Sequence, residues 1–463
     1  MGSRLVGTFV LGLGLSLGVV SPIWADDAPY PSTYQPLPST SVLLQNGTLL
    51  DGLGGQTANA DLLINDGKIS AVGPNLSVPE GTRIIDATGK WITPGIIDIH
   101  SHLGVYPAPG VQAHNDGNEV TNPVTAEVWS EHGIWPQDPG FNRARTGGIT
   151  SLLVLPGSAN LFGGRGVVLK NVPSRTVQGM KFPGAPYALK MACGENPKRV
   201  YGEKGGPGSR MGNFSGYRKT WIKAVAYREK WAKYKKELAK AKPEDEKQPS
   251  EPDRDLQMET LVGVLNGDIR VNMHCYRADE MAQVIDLSKE FGYKVSTFHH
   301  AIEAYKISDL LKENGICAAM WADWGGFKME AYDSIRENIP MVHHAGGCAI
   351  VHSDSEVGIQ RLYQEAAKAL ADGRKAGLDI SKGQAWRWLS SNPANAMGIG
   401  DQTGSLTVGK DADIVLWDGD PFSIRTRAEL VLIDGALLYD KNDRNRQAVS
   451  DFELGQPGNG EEK

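Results

Sequence analysis

Two histidines, His100 and His102, stand one residue apart in the apolar stretch GIIDIHSHL, which covers residues 95–103. Side chains two positions apart along a strand point to the same face, so both imidazoles would face one site. A single histidine on an apolar strand is more often a hydrogen-bonded core residue than a ligand. Neutral imidazole is also a ligand that zinc and similar divalent ions accept, so the pair is a candidate half of a metal site.

Further candidate ligands stand at the ends of other apolar runs. His274 ends the fifth run, His299 and His300 end the sixth, and Asp354 ends the eighth. In a barrel, inward-facing side chains near the ends of neighbouring strands converge on the axis. Imidazoles and a carboxylate at four strand ends are hard to explain by core packing, and together they predict a metal centre.

The elements that would position these groups alternate between apolar runs and helical segments over residues 95–391. The eight runs are GIIDIHSHL, GITSLLVLPG, GVVLK, PYALKMACG, IRVNMHCY, KVSTFHH, GICAAMWADW and CAIVHSDSE. Such alternation is typical of parallel sheets, and eight strands predict an α/β fold of the (β/α)8 TIM barrel type. Barrel enzymes keep their active sites at the C-terminal ends of the strands, where the candidate ligands lie. Residues 202–258 interrupt the alternation and are expected to form a helical insertion after the fourth strand.

Two β-rich segments flank the barrel. Short β-like runs separated by turn residues fill residues 41–94, and the same pattern occurs again in residues 392–445. We therefore expect one small β-sandwich domain built from both chain ends. The dipeptides Asn46-Gly47 and Asp66-Gly67 are hairpin signals, because both of their residues tolerate a positive φ.

The N-terminus has the features of a secretory signal peptide over residues 1–25: one basic residue, a short apolar run and a small residue at the cleavage point. The run is short for a membrane span, so we expect no stable membrane anchor and a periplasmic or secreted protein. Residues 26–40 are Pro-rich and are expected to form an extended leader, and residues 446–463 form a tail.

Charge and cysteine content narrow the class of protein further. The net charge of −6 provides no dominant basic field, so no nucleic-acid partner is predicted and a small-molecule substrate is expected. No two of the four cysteines form a CxxC or other close pair, and we expect buried free thiols at Cys193, Cys275, Cys317 and Cys348.

The motifs HSH, HCY, HHAIEAY and HSDSE, inside a barrel flanked by split β-segments, resemble the amidohydrolase superfamily. More narrowly, the chain is similar to the imidazolonepropionase-like branch that includes metal-dependent prolidases and other aminoacyl dipeptidases. The C-terminal stretch SNPANAMGIGDQTGSLTVGKDADIVLWDGDP resembles the sequence typical of that branch. The resemblance covers residues 41–440 and rests on the order and spacing of the motifs.

The resemblance implies a metal-dependent hydrolase with two divalent ions, expected to be zinc. His100 and His102 would hold the buried ion, and His274 and His300 would hold the second one. His300 is preferred to His299 because HAIEAY matches the family's H-x-x-E pattern, which leaves His299 a supporting role. Asp354 would ligate a metal and accept a proton from the attacking hydroxide.

A bridging ligand is also implied, and three residues are candidates for it. Members with two metals often use a lysine on the fourth strand that carbon dioxide has carboxylated, and Lys190 in YALKMACG stands at that position. Glu195, five residues further on, is the alternative, and Lys170 in GVVLK is a weaker third candidate. We also expect Asp98 to orient one of the two HSH histidines through a hydrogen bond.

Substrate groups are expected at the mouth of the barrel. Tyr276 could donate a hydrogen bond to an oxyanion, and Arg277, Arg199 or Arg210 could bind a substrate carboxylate. The resemblance implies hydrolysis of a small amide substrate, such as a dipeptide or an N-acyl amino acid, in a chain that could form a homo-oligomer. Two alternatives stay open: a mononuclear cyclic-amide hydrolase or heterocycle deaminase, and a barrel that serves only as a binding or assembly module.

Overall fold

A computed structural model describes residues 29–245 and 247–446. The expected signal peptide and all but the first residue of the expected tail lie outside the described residues. In chain order, the strands are β1 Val42–Leu50, β2 Gln56–Asn65, β3 Lys68–Gly73, β4 Arg83–Asp86, β5 Trp91–Pro94, β6 Ile96–Ser101, β7 Ile149–Val154, β8 Phe162–Lys170, β9 Ala188–Ala192, β10 Arg270–Cys275, β11 Val295–His300, β12 Cys317–Met320, β13 Cys348–Val351, β14 Ile414–Trp417, β15 Ala428–Ile433 and β16 Ala436–Asp440.

The α-helices lie mainly between the later strands of the barrel. They are α1 Pro139–Thr146, α2 Glu195–Tyr201, α3 Arg210–Leu238, α4 Leu256–Asn266, α5 Ala278–Phe291, α6 Ser308–Glu313, α7 Asn338–His344, α8 Leu362–Lys375, α9 Lys382–Trp386 and α10 Ser391–Met397. Within residues 29–245 and 247–446, no helix combines the length and the apolar character that a membrane span requires.

The two ends of the chain build one sheet, in the order β16-β15-β14-β5-β1-β2-β3, with β4 paired to β1. The Asp66-Gly67 dipeptide turns β2 into β3 with positive φ at both residues, as the sequence predicts. The Asn46-Gly47 prediction is wrong, because this dipeptide lies inside β1. There the pairing register with β2 shifts, so the positive φ of Asn46 serves a bulge instead of a turn.

The central sheet contains eight strands in sequence order, from β6 to β13. An amide–carbonyl bond of 3.0 Å from Asp354 N–H to His100 O joins the two edges of this nearly closed barrel. One strand departs from the expected (β/α)8 pattern, since β8 runs antiparallel to both β7 and β9. The link from β7 to β8 is too short for the helical crossover that a parallel neighbour requires.

The expected insertion after the fourth strand contains α3 and α4, between β9 and β10. Tyr217 and Trp221 on α3 are fully buried, and the Tyr217 hydroxyl donates to Ala192 O at 2.5 Å. Tyr217 and Trp221 therefore fix the first half of the helix against the end of β9, close to the candidate site. The second half carries mostly exposed side chains, including Leu238.

The cysteines are not free thiols, which corrects the sequence-based prediction. Cys193 is bonded to Cys275, and Cys317 is bonded to Cys348, with Cα–Cα distances of 5.2 and 4.5 Å. Residues far apart in sequence become neighbours on adjacent parallel strands, so spacing along the chain could not reveal the pairs. The first disulfide connects the ends of β9 and β10, directly beside His274.

Candidate metal centre

The end of β6 delivers His100 and His102 to one point in the barrel. Their Nε2 atoms are 3.3 Å apart, and Asp354 Oδ1 lies 3.3 Å from the first and 3.1 Å from the second. Asp354 reaches this point because its left-handed backbone, with φ of 51°, turns the chain just after β13. The alternation along β6 and the turn after β13 thus bring three predicted ligands together.

Hydrogen bonds on the far side of each ring define which nitrogen faces this point. Asn272 Oδ1 accepts from His299 Nε2 at 2.8 Å, so His299 Nδ1 is left to accept from His100 Nδ1 at 2.9 Å. His102 Nδ1 donates to Leu155 O at 2.8 Å. Both Nε2 atoms of the HSH pair therefore present lone pairs to Asp354.

Lone pairs that face one another around a carboxylate repel unless a cation or a proton lies among them. Burial lowers the pKa of His100 well below its usual value, which favours the unprotonated ring. The cluster of His100, His102 and Asp354 has one donor atom from each residue within 4.8 Å of the others. This donor set is one that a divalent metal ion fits.

The second pair of predicted ligands, His274 and His300, lies beside the first. Their ring centroids are 4.6 Å apart, and both side chains are buried. Burial lowers the pKa of both rings, and the Nδ1 atom of each has no hydrogen-bond partner among the described residues. His300 Nδ1 is 3.8 Å from Asp354 Oδ2. Buried, unpaired nitrogens next to a carboxylate are suited to a second metal position.

Lys190 reaches the same cluster from β9. Its side chain is fully buried, and Nζ lies 3.3 Å from His100 Nε2. Burial lowers the pKa of this amine to about 7. A buried lysine among histidines needs a reason for its position, because an unpaired ammonium is costly to bury.

The two other candidates for the bridge lie elsewhere. Glu195 begins α2 and pairs with Lys328, at 3.2 Å from Oε1 to Nζ, outside the histidine cluster. Lys170 points out of the barrel toward the terminal sheet, where Nζ lies 2.9 Å from Asp411 Oδ2 and 2.6 Å from Asp434 Oδ1. The structure therefore brings only Lys190 of the three to the predicted ligands.

Asp98 supports the site in a different way from the one expected. Its Oδ1 accepts the backbone N–H groups of His100 and Ser353, at 3.1 and 3.2 Å, and its Oδ2 accepts the Ser353 hydroxyl at 2.5 Å. It therefore orients no imidazole directly. It ties the end of β6 to the segment that carries Asp354, while His299 orients the His100 ring.

A cavity of about 660 Å³ opens above the cluster, and its wall includes His102, His274, Tyr276, His300 and Asp354. Tyr276 packs on His274 with a ring separation of 4.7 Å, and burial raises its pKa, so its hydroxyl stays a donor. Lys328 lies behind this wall, where its Nζ is 4.2 Å from the centre of the Tyr276 ring and donates to Oδ1 of Asn196, another lining residue, at 3.3 Å.

The predicted arginines are not brought to this cavity. Arg210 pairs with Glu280 and Glu330, and Arg277 pairs with Asp279 at 2.8 Å. Arg199 is exposed on α2, and no arginine among the described residues lines the cavity. The lining of the cavity therefore does not support a role for these three arginines in binding a substrate carboxylate, and that role stays a prediction.

Sequence reasoning also missed residues that the fold adds to the site. Asn272 was missed because its role, accepting the hydrogen bond from His299, depends on a contact between β10 and β11. It lies two residues before His274, so alternation places both side chains on the same face of β10. His352 is fully buried, and its ring centroid lies 5.0 Å from that of His100. The only available signal for His352 was its place two residues before Asp354 in HSDSE.

Known proteins resemble this chain in sequence. A model of the amidohydrolase family matches residues 91–450. "Amidohydrolase tasK" of Hapsidospora irregularis is 33% identical over 429 residues, which are 88% of this chain and 42% of that protein. The chain thus spans less than half the length of that relative.

Solved structures extend the comparison to three dimensions. A crystal structure of an amidohydrolase from Thermotoga maritima MSB8 is 35% identical, with a TM-score of 0.78, and the match covers 86% of this chain and 100% of that one. A prolidase complexed with N-methylphosphonate-L-proline shares the fold at 16% identity, with a TM-score of 0.51, over 86% of this chain and 99% of that one.

Proposed function

The chain belongs to the amidohydrolase family, and on that premise we propose that it hydrolyses the amide bond of a dipeptide or an N-acyl amino acid at a two-zinc centre. It is a hydrolase that acts on carbon–nitrogen bonds. The observation that carries the proposal is the convergence of His100 Nε2, His102 Nε2 and Asp354 Oδ1 at the floor of the cavity, next to Lys190.

The proposed ligands divide between two positions. His100, His102 and Asp354 would hold the inner ion, and His274 and His300 would hold the outer one. Lys190, whose Nζ lies 3.3 Å from His100 Nε2, would be the bridging ligand. Ions bound there would supply Lewis acidity and lower the pKa of water toward neutrality.

Carboxylation would allow Lys190 to serve both positions. The neutral amine adds to carbon dioxide, a C–N bond forms, and one proton leaves, so that a carbamate with two oxygen ligands replaces the ammonium. The lowered pKa of Lys190 supports this step, since an amine with a pKa of about 7 is about half neutral near pH 7, whereas an ordinary lysine is almost fully protonated. The carbamate also removes the cost of an unpaired buried cation.

Two side chains on the cavity wall would move protons and stabilise charge. Asp354 would accept a proton from the attacking water and return it to the leaving nitrogen, since its two oxygens lie 3.1 Å from His102 Nε2 and 3.8 Å from His300 Nδ1. The Tyr276 hydroxyl would donate to the oxygen that becomes negative in the tetrahedral transition state.

We also propose that the protein acts after export, in the periplasm or outside the cell. The signal-like residues 1–25 suggest export, and two disulfides in a chain with four cysteines are typical of an oxidising compartment. Measuring the mass of the mature protein in a periplasmic extract would test this part of the proposal, because uncleaved cytoplasmic protein would contradict it.

Metal stoichiometry of the mature protein, purified with bicarbonate, tests the catalytic proposal. The Lys190→Ala variant is compared with Lys289→Ala, which removes an exposed lysine of α5. We expect two metals per chain in the wild type and in the control, and fewer in Lys190→Ala. Dipeptides and N-acyl amino acids are then screened for hydrolysis.

Each other outcome has a defined meaning. One metal in all three proteins would favour a mononuclear cyclic-amide hydrolase or heterocycle deaminase, and those substrates would be screened instead. Two metals retained by Lys190→Ala would refute the lysine bridge. A wild-type protein that takes up no metal would refute the proposed centre altogether.

A further inference from the structure

His352 stands at the C-terminal end of β13, inside the histidine cluster. Its side chain is buried, and its ring centroid lies 5.0 Å from those of both His100 and His300. Next to it, the Trp321 indole donates to Ser353 O at 3.2 Å and holds the chain in place between His352 and Asp354. The ring therefore has a defined position facing the proposed centre.

Neither ring nitrogen of His352 has a hydrogen-bond partner among the described residues. The neighbouring His299 shows what a purely supporting histidine looks like here, since both of its nitrogens are bonded to protein atoms. Buried polar atoms are nearly always paired, so two unpaired nitrogens on one ring indicate a partner other than the protein.

The position of the nitrogens identifies the class of that partner. One donor atom each from His100, His300 and His352 can be chosen so that all three lie within 4.8 Å of one another. This second group shares His100 with the first group and leaves out Asp354. Neutral imidazole is a ligand for divalent metal ions, and these distances are short enough for His352 to share an ion with His300.

We propose that His352 is a metal ligand of this centre, binding the same ion as His300. It would be a ligand beyond those that the HSH, HCY, HHAIEAY and HSDSE motifs imply. This inference rests on the proposed metal centre, and it also assigns the outer ion one more imidazole from the protein.

Replacing His352 by Phe separates ligation from packing. A Phe ring can keep the stacking on His100 and the tilted contact with Trp321 but offers no nitrogen. His344→Phe is the matched control, because His344 is exposed on α7. Both variants and the wild type are loaded with Co²⁺, followed by its visible absorption, and the affinity of each site is measured by competition with a chelator.

We expect His352→Phe to weaken one of the two sites on the order of 100-fold or more, beyond the usual effect of losing a residue that only supports a ligand. The absorption of the Co²⁺ bound there should change in shape, because a nitrogen donor is lost. His352→Asn, whose side chain is too short to reach the ion, should give the same loss if the Phe variant folds poorly. Thermal unfolding shows which of the two variants is folded, and metal affinity is compared with that of the wild type only for a folded variant.

The same experiment can overturn the inference. Wild-type affinity and an unchanged Co²⁺ spectrum in a folded His352→Phe or His352→Asn variant would show that the ring only packs, and the proposed centre would stand without it. A wild-type protein that binds no metal would refute both proposals together.

Discussion

Replacing Lys170 by Met should destabilise the protein strongly without affecting the metal centre. Lys170 lies on β8, and its buried ammonium meets Asp411, Asp413 and Asp434 of the terminal sheet, at 2.9, 3.7 and 2.6 Å. Its side chain is 2% exposed, so water cannot replace it. Removing one partner from a buried ion cluster leaves uncompensated charge, and we expect a loss of about 3–5 kcal/mol in the free energy of unfolding.

The pH dependence provides a second test. Burial raises the pKa of Asp413 to about 6 even though Lys170 opposes the shift. Without Lys170, whose charge opposes the shift, the pKa of Asp413 should rise further above its unfolded value. A carboxyl with a raised folded pKa destabilises the protein increasingly as pH rises from its unfolded pKa to its folded pKa, so the loss should be smaller at pH 5 than at pH 8.

Urea unfolding at the two pH values measures both effects, with Lys68→Met as the matched control. Lys68 contacts the same Asp411 at 2.5 Å, but its side chain is 52% exposed. An exposed pair contributes little, so the control should lose less than about 1 kcal/mol. Equal losses in the two variants, or a Lys170→Met loss that does not shrink on acidification, would refute the reasoning.

Three substitutions at the site have distinct expected signatures. His299→Ala should weaken metal binding about 10- to 100-fold in a chelator competition assay, because His100 loses the bond that orients its ring. Tyr276→Phe should lower kcat about 100-fold, with metal content unchanged, because an oxyanion donor is lost. Lys328→Met should raise the KM of substrates that carry a carboxylate about tenfold and leave neutral amides unaffected, since its ammonium lies beside the cavity wall.

Controls outside the cavity make these results specific. Tyr305→Phe and Lys306→Met alter residues that bind the exposed Asp333, and both variants should retain wild-type kinetics. Unchanged metal affinity in His299→Ala would contradict the orienting role. An unchanged kcat in Tyr276→Phe, or equal KM changes for charged and neutral substrates in Lys328→Met, would contradict the other two assignments.

The sequence by itself determined the features that depend on local periodicity. Alternation along one strand placed His100 and His102 on a common face, and strand ends marked His274, His300 and Asp354 as neighbours. The Asp66-Gly67 turn followed from the backbone preferences of two residues. The inferences about strands need only the alternation of side chains along a strand, which every β-strand has whatever its tertiary contacts.

Tertiary structure decided everything that depends on contacts between distant residues. Of two buried lysines on barrel strands, Lys190 meets the histidines while Lys170 meets Asp434, which is 264 positions away in sequence. The sequence also could not predict three other features: the disulfide pairs, the antiparallel direction of β8 and the carboxylate partners of Arg210. Each is set by which strands become neighbours and by how the barrel closes, so no spacing along a single chain encodes it.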